Sequence, residues 1–231
     1  YHVEDDSMTF FHGHRRLRAL WVALLLCLLG IAPAWASHPA LWRAHDADTT
    51  VYFFGTVHTL PKGLDWHFGE LDKALDASKV LYIEAADIDP TTVQPLVLQY
   101  GLDPAHPLSG KLDDDEKALL LQAATQIGLP GGAKTLEIMK PWLAGITIAT
   151  APLLKAGYDP KLGVDKLLQA RMEKAGKAVK GLESAKHQIL ILAQLPESTQ
   201  LHLLRQTLHD YAHAKSTLAT IIHAWKQGDV Q

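Results

Sequence analysis

Two short apolar runs separated by a helical pattern constrain this chain most. Val51-Tyr52-Phe53-Phe54, β-branched and aromatic, ends at Gly55 and reads as a buried strand. Val80-Leu81-Tyr82-Ile83 is a second run of strand length. Between them, from Asp65 to Ala77, Trp66, Leu71, Ala74 and Leu75 recur at helical spacing. Strand, helix, strand makes a βαβ unit, and a parallel pair is its expected outcome.

Helices dominate the rest of the chain. Asp113 and Glu116 have capping-box spacing, so a helix begins there and stops at Leu129-Pro130-Gly131-Gly132. Pro141 opens another at its favoured first position, running to about Lys155. Gly163 to Ala175 is amphipathic, with Val164, Leu167, Leu168 and Met172 on one face. Lys177 to Leu182 reads as a third strand, Ser184 to Leu195 as a helix, and Glu197 to Gln227 as a long helical stretch without Gly or Pro. The class expected is α/β or α+β, a small mixed sheet flanked by many helices, in one domain over 37–231.

The amino terminus bears on compartment. Arg15, Arg16 and Arg18 precede an apolar run from Ala19 to Ile31, and then comes Ala34-Trp35-Ala36. Charged block, short apolar core and small-x-small site are the order of a cleavable signal peptide, here 1–36, with the residues before Met8 an upstream extension. The apolar run falls short of the roughly 20 residues that cross a bilayer. A periplasmic or secreted protein is expected, with no stable membrane insertion after cleavage. The only cysteine, Cys27, lies in that run, so the mature chain holds no thiol and any metal site must use His and carboxylates. A net charge of -3 with no basic stripe argues against a nucleic-acid partner. Nothing in the sequence fixes an oligomeric state.

Three strand ends carry groups suited to chemistry. His58 follows the first strand in Gly55-Thr56-Val57-His58, where Gly55 permits a tight exit and His58 can act as ligand or general base. A histidine at a loop edge that satisfies a backbone group fits the same residues. Glu84 closes the second strand after four apolar residues, where a carboxylate must be paired, coordinated or solvated. An acid emerging into solvent as the strand ends also fits. Glu183 ends the third strand in Gly181-Leu182-Glu183. His58, Glu84 and Glu183 converge if the three strands are neighbours. His209 and His213 have zinc-pair spacing, but the adjacent acid is Asp210 where the metalloprotease helix needs Glu, so a solvated helix face is expected. Trp66 and Trp142 are expected in the core or in cleft walls.

The order of these pieces resembles the TraB/GumN family. The resemblance rests on Phe54-Gly55-Thr56-Val57-His58 with Leu60-Pro61, Val80 to Glu84, Lys140-Pro141-Trp142, Gly163-Val164-Asp165, Gly176-Lys177, Gly181-Leu182-Glu183-Ser184, Gln188 and Trp225 with Gly228-Asp229. Each piece is common; their shared order is specific. The resemblance implies a TraB/Tiki-like (EreA/ChaN-like) fold. It also implies metal-dependent hydrolysis, since the animal Tiki relatives are metal-dependent proteases using two Gly-x-x-His motifs and a Glu. His58 would then be a metal ligand, Glu84 a ligand or catalytic acid, and Glu183 a motif acid of catalytic interest. A divalent ion such as Mn, Co or Zn and a peptide or protein substrate are implied by the same resemblance. A second Gly-x-x-His is expected beyond Asp229, so the chain reads as C-terminally incomplete and, as it stands, inactive. A non-catalytic envelope-binding role and an exopolysaccharide-accessory role are the alternatives.

Overall fold

The computed structural model describes residues 38–229. The signal-peptide expectation for 1–36, with Met8 and Cys27, lies outside the described residues. Among those described, no helix is long and apolar enough to cross a membrane.

The first strands form a hairpin. Strand β1 (Leu41–His45) pairs antiparallel with β2 (Thr50–Phe54), Leu41 opposite Phe54 and His45 opposite Thr50. The turn between them closes on Asp46, whose Oδ1 accepts from Thr49 N at 2.8 Å; a short acidic side chain mimics a backbone turn in this way. The hairpin corrects two expectations. Val51 and Phe53 are exposed, while Tyr52 and Phe54 are half-buried, so β2 alternates instead of being buried on both faces. Its partner is β1, not the second apolar run.

Strand β4 (Val80–Ala85) pairs in parallel with β6 (Ala178–Glu183), from Val80 opposite Ala178 to Ala85 opposite Glu183. A third small pair sets β3 (Leu60–Pro61) antiparallel to β5 (Tyr158–Asp159). The described sheet is therefore three two-stranded pieces. Nine helices complete the described fold: α1 (Gly69–Ala77), α2 (Pro90–Gly101), α3 (Asp114–Ile127), α4 (Ala133–Glu137), α5 (Pro141–Lys155), α6 (Val164–Lys174), α7 (Ala185–Ala193), α8 (Glu197–Asp210) and α9 (Ala214–Lys226). It is a mixed α/β architecture in which helix predominates.

Local chemistry explains the helix ends. Asp113 accepts from Glu116 N at 2.9 Å, and Glu116 Oε2 accepts from Asp113 N at 2.9 Å, a reciprocal cap on α3. Gly128, at φ 70°, ends α3 in the left-handed region that suits glycine. The helical stretch expected over 197–227 is helical from Glu197 to Lys226, as two α-helices parted by a 3₁₀ turn at Tyr211–His213. His209 and His213 therefore do not share an α-helix, and both are exposed.

Two apolar clusters hold the fold. One is purely helical and includes Leu108, Leu136, Ile148 and Leu204, all fully buried. Truncating any of these to Ala should cost about 2–5 kcal/mol. The other joins Leu60, Trp66, Leu71, Val164, Leu168, Met172 and Ile222, and Phe54, Leu81 and Trp225 pack against it. This second cluster lies beneath the strand ends, so the apolar face of α6 and the inner residues of β2 and β4 share one core.

Candidate functional site

His58 is set by what grips its loop from behind. The Val57 carbonyl accepts from Val164 N at 2.9 Å, which seats the start of α6 against the residues leaving β2. Gly163 makes that approach feasible: a Cβ there would collide with the His58 carbonyl. Trp225, from α9, donates Nε1 to the Gly55 carbonyl at 2.8 Å. Its ring also sits 6.3 Å from Phe54 and 6.0 Å from Trp66, centroid to centroid. Aromatic pairs of this kind contribute about 0.5–1.5 kcal/mol each beyond burial. Gly55 itself has open space around its Cβ position and no positive φ, so the tight exit expected there does not require glycine.

The seating of α6 brings Asp165 to the imidazole. His58 Nδ1 lies 3.1 Å from Asp165 Oδ1, and His58 Nε2 lies 3.8 Å from Glu84 Oε2. The Asp165 side chain is 19% exposed and that of His58 64%. The hydrogen bond with Asp165 raises the His58 pKa above its ordinary 6.5; partial burial opposes this, and the charges of Asp165 and Glu84 add to it. For Asp165, burial pushes the carboxyl up, but the hydrogen bond and charge of His58 outweigh it and hold the group below its ordinary value.

Glu84 and Glu183 meet through an amide. Gln188, in the first turn of α7, donates Nε2 to Glu183 Oε1 at 3.0 Å and to Glu84 Oε2 at 3.4 Å. His187 Nε2 approaches Glu183 Oε2 at 3.7 Å. Asp87 Oδ1 accepts from Ala185 N at 2.8 Å, fixing the loop after β4 to the start of α7. Lys166 donates to the Ile88 carbonyl at 2.8 Å from the α6 side. The structure thus brings His58 and Glu84 together directly. Glu183 reaches them only through Gln188.

His58, Glu84, Asp165, Lys166 and Gln188 line a cleft of about 730 Å³ with apolar walls from Phe54, Tyr82, Ile88, Pro160 and Leu182; Glu183 is not among its lining residues. With Nδ1–H directed at Asp165, the neutral ring turns a lone pair toward a carboxylate. Two acceptors facing each other are satisfied by a proton, a donating water or a cation between them. The described residues supply two donors for a cation, His58 Nε2 and Glu84, with Asp165 behind the ring as an orienting carboxylate. Among the described residues no group of three or more His, Cys, Asp or Glu is placed to share an ion. Two ligands are fewer than the three that catalytic zinc sites usually have.

Sequence reasoning missed Asp165 and Gln188 as site residues. Gly163-Val164-Asp165 held the signal, but an acid in a first helical turn also reads as a complement to the helix dipole. Gln188 lies one helical turn past the Ser184 cap, so its reach toward both acids follows from where α7 begins.

Compared with known proteins, residues 40–231 match the family model described as the TraB/PrgY/gumN family. No curated protein and no solved structure matches.

Proposed function

We propose that this chain, which belongs to the TraB/PrgY/gumN family, is a metal-dependent hydrolase of peptide bonds that acts in the cell envelope. The single observation carrying the proposal is the 3.8 Å approach of the His58 Nε2 lone pair to the Glu84 carboxylate inside a cleft. A divalent ion (Mn, Co or Zn) held there by His58 and Glu84 would lower the pKa of a bound water and polarise a carbonyl.

The chain's own residues have distinct tasks in this reading. Asp165 keeps the proton on Nδ1 and strengthens Nε2 as a donor to the ion. Glu84 shares the ion or takes a proton from water. Glu183 is proposed as a positioning residue, since its bond to Gln188 steadies the amide that reaches Glu84. The envelope location rests on the Arg-rich block, apolar run and small-x-small site of residues 15–36.

The test is peptide hydrolysis by the purified chain, followed by mass spectrometry with and without chelator, together with calorimetric titration of Mn, Co and Zn. With only two donors among the described residues, this chain should bind the ion without efficient cleavage; His58→Ala and Glu84→Gln should bind it more weakly, and any cleavage should vanish with chelator and in His58→Ala. Cleavage that survives both chelator and His58→Ala would overturn the proposal.

The small donor set favours a second reading, in which the cleft binds a polypeptide without cutting it. Stoichiometric peptide binding in excess chelator, with no turnover under any metal, would select it.

A further inference from the structure

Side-chain parity gives the β4–β6 pair an inner and an outer face. Leu81 and Val179 are opposite one another in the register, and both pack against the second apolar cluster. Ile83 and Ala85 share the parity of Leu81 and are buried. Successive side chains of a strand point to opposite faces, so Tyr82 and Glu84 of β4 lie on the outer face with Lys180 and Leu182 of β6. Leu182 stands between Gly181 and Glu183, whose partners are Ile83 and Ala85. It is therefore level with Glu84 on the neighbouring strand, and Tyr82 precedes Glu84 by two residues on its own.

The apolar groups beside Glu84 are open. Tyr82 is 56% exposed, Leu182 74%, and Ile88, in the loop after β4, 38%. All three line the cleft that holds His58 and Glu84. Single exposed apolar residues are ordinary on a protein surface. Several around one cleft, with a few polar groups among them, are the usual make-up of a ligand site. Lys180 Nζ stands 5.9 Å over the Tyr82 ring, a cation–π contact that helps to hold it.

We infer that Tyr82, Leu182 and Ile88 form an apolar subsite, which receives an uncharged hydrocarbon side group of the ligand beside Glu84. The inference rests on the proposed hydrolysis in this cleft and deepens it by naming the substrate class: compounds with such a group next to the bond presented to Glu84. The occupant's chemistry follows from the walls. A hydrocarbon group frees the water over these side chains, which is favourable in proportion to the apolar area covered. A charged or polar group would lose its own water there and gain no partner from Leu182 or Ile88. Ligands that present only hydrogen at this place are therefore disfavoured.

The probes are N-acetylleucinamide and N-acetylglycinamide, which differ only by the isobutyl group. Each is titrated into the full chain in excess EDTA and followed by NMR on the methyl groups of Leu182 and Ile88. The leucine compound should shift both, with a Kd roughly tenfold below that of the glycine compound, as partial burial of a leucyl side chain implies. Leu182→Ser and Tyr82→Ser, read on Ile88, should bring the two compounds within about twofold of each other. Leu203→Ser, at an exposed leucine of α8, should keep the gap, and circular dichroism verifies that all three variants are folded. Equal affinity of the native chain for the two compounds, or no binding of either, overturns the inference. So does a dimer in sedimentation velocity that Leu182→Ser dissociates, since a second copy then covers the subsite. Titration with Mn reads the metal site and the amides in EDTA read the apolar subsite, so the two readings fail separately.

Discussion

Asp165 holds Nδ1 of His58 at 3.1 Å although 107 positions separate the two residues in the chain. The contact is made by the first turn of α6 against the loop leaving β2. It fixes the orientation of the ring and the side from which its other nitrogen is available.

The first prediction concerns pH. The folded pKa of His58 lies above its ordinary 6.5, so its share of the stability is complete below about that value and fades as pH rises through the raised pKa. The folded pKa of Asp165 is lowered, so its share is present above the ordinary 3.8 and is lost as pH falls through the lowered pKa. The thermal stability lost in Asp165→Asn should thus be greatest between those limits. Because His58 is largely exposed, the loss should be only about 0–1 kcal/mol. In the metal-free chain the His58 ring should titrate with a midpoint above 6.5 when followed by NMR, because of its hydrogen bond to Asp165. In Asp165→Asn that midpoint should move down. An unmoved midpoint would separate Asp165 from the chemistry.

Gly163→Ala tests the seating of α6. Its Cβ would collide with the His58 carbonyl and lie 3.1 Å from the Pro160 carbonyl, both backbone groups that cannot rotate away. Overpacking of this kind costs about 1–3 kcal/mol. Urea denaturation should show that loss, with weaker metal binding alongside it. Gly55→Ala, with open space around its Cβ, should by contrast leave the urea midpoint nearly unchanged.

Trp225→Phe removes the donor to the Gly55 carbonyl and keeps an aromatic ring beside Phe54 and Trp66. The lost bond is worth about 0.5–1.5 kcal/mol. Amide exchange across 55–58 should quicken more than in β4 or β6. Uniform quickening everywhere would mean that Trp225 acts on global stability alone.

Glu116 joins the α3 cap to Arg205 of α8, whose Nε lies 2.5 Å from Glu116 Oε1. That hydrogen bond is the main reason its pKa is lowered; the Asp113 amide adds to the effect and burial opposes it. Glu116→Ala should cost about 1–2 kcal/mol at neutral pH. The difference from the native chain should shrink as pH falls from the ordinary 4.5 through the lowered folded value. Melting temperatures measured across that range check the sign.

Much of the secondary structure is legible because its causes are local. The α3 capping box, Pro141 at the start of α5 and the Val164, Leu168, Met172 stripe are all visible in short windows. Asp89-Pro90 at the start of α2 carries an equally clear signal that sequence reasoning missed, with the Asp89 carboxylate accepting from Thr91 and Thr92. Strand pairing is not legible. The run Val51 to Phe54 looks alike whether its neighbour is β1 or β4, because apolar content does not encode a partner. The break at Tyr211–His213 also lacks a Gly or Pro to announce it. At the site, His58 and Glu84 stand out as polar groups closing apolar runs. Asp165 does not, because its meaning depends on where α6 docks.

The loop carrying His58 is fastened by residues made much later. Val164 binds the Val57 carbonyl, and Trp225 reaches back 170 positions to Gly55. Closures across such spans delay folding, since the ordering of the intervening chain precedes the contact that rewards it. As the polypeptide leaves the ribosome, the imidazole emerges early and waits for nearly the whole described domain. Clipping between α8 and α9 should accordingly loosen the Gly55–His58 loop while leaving the β1–β2 hairpin paired.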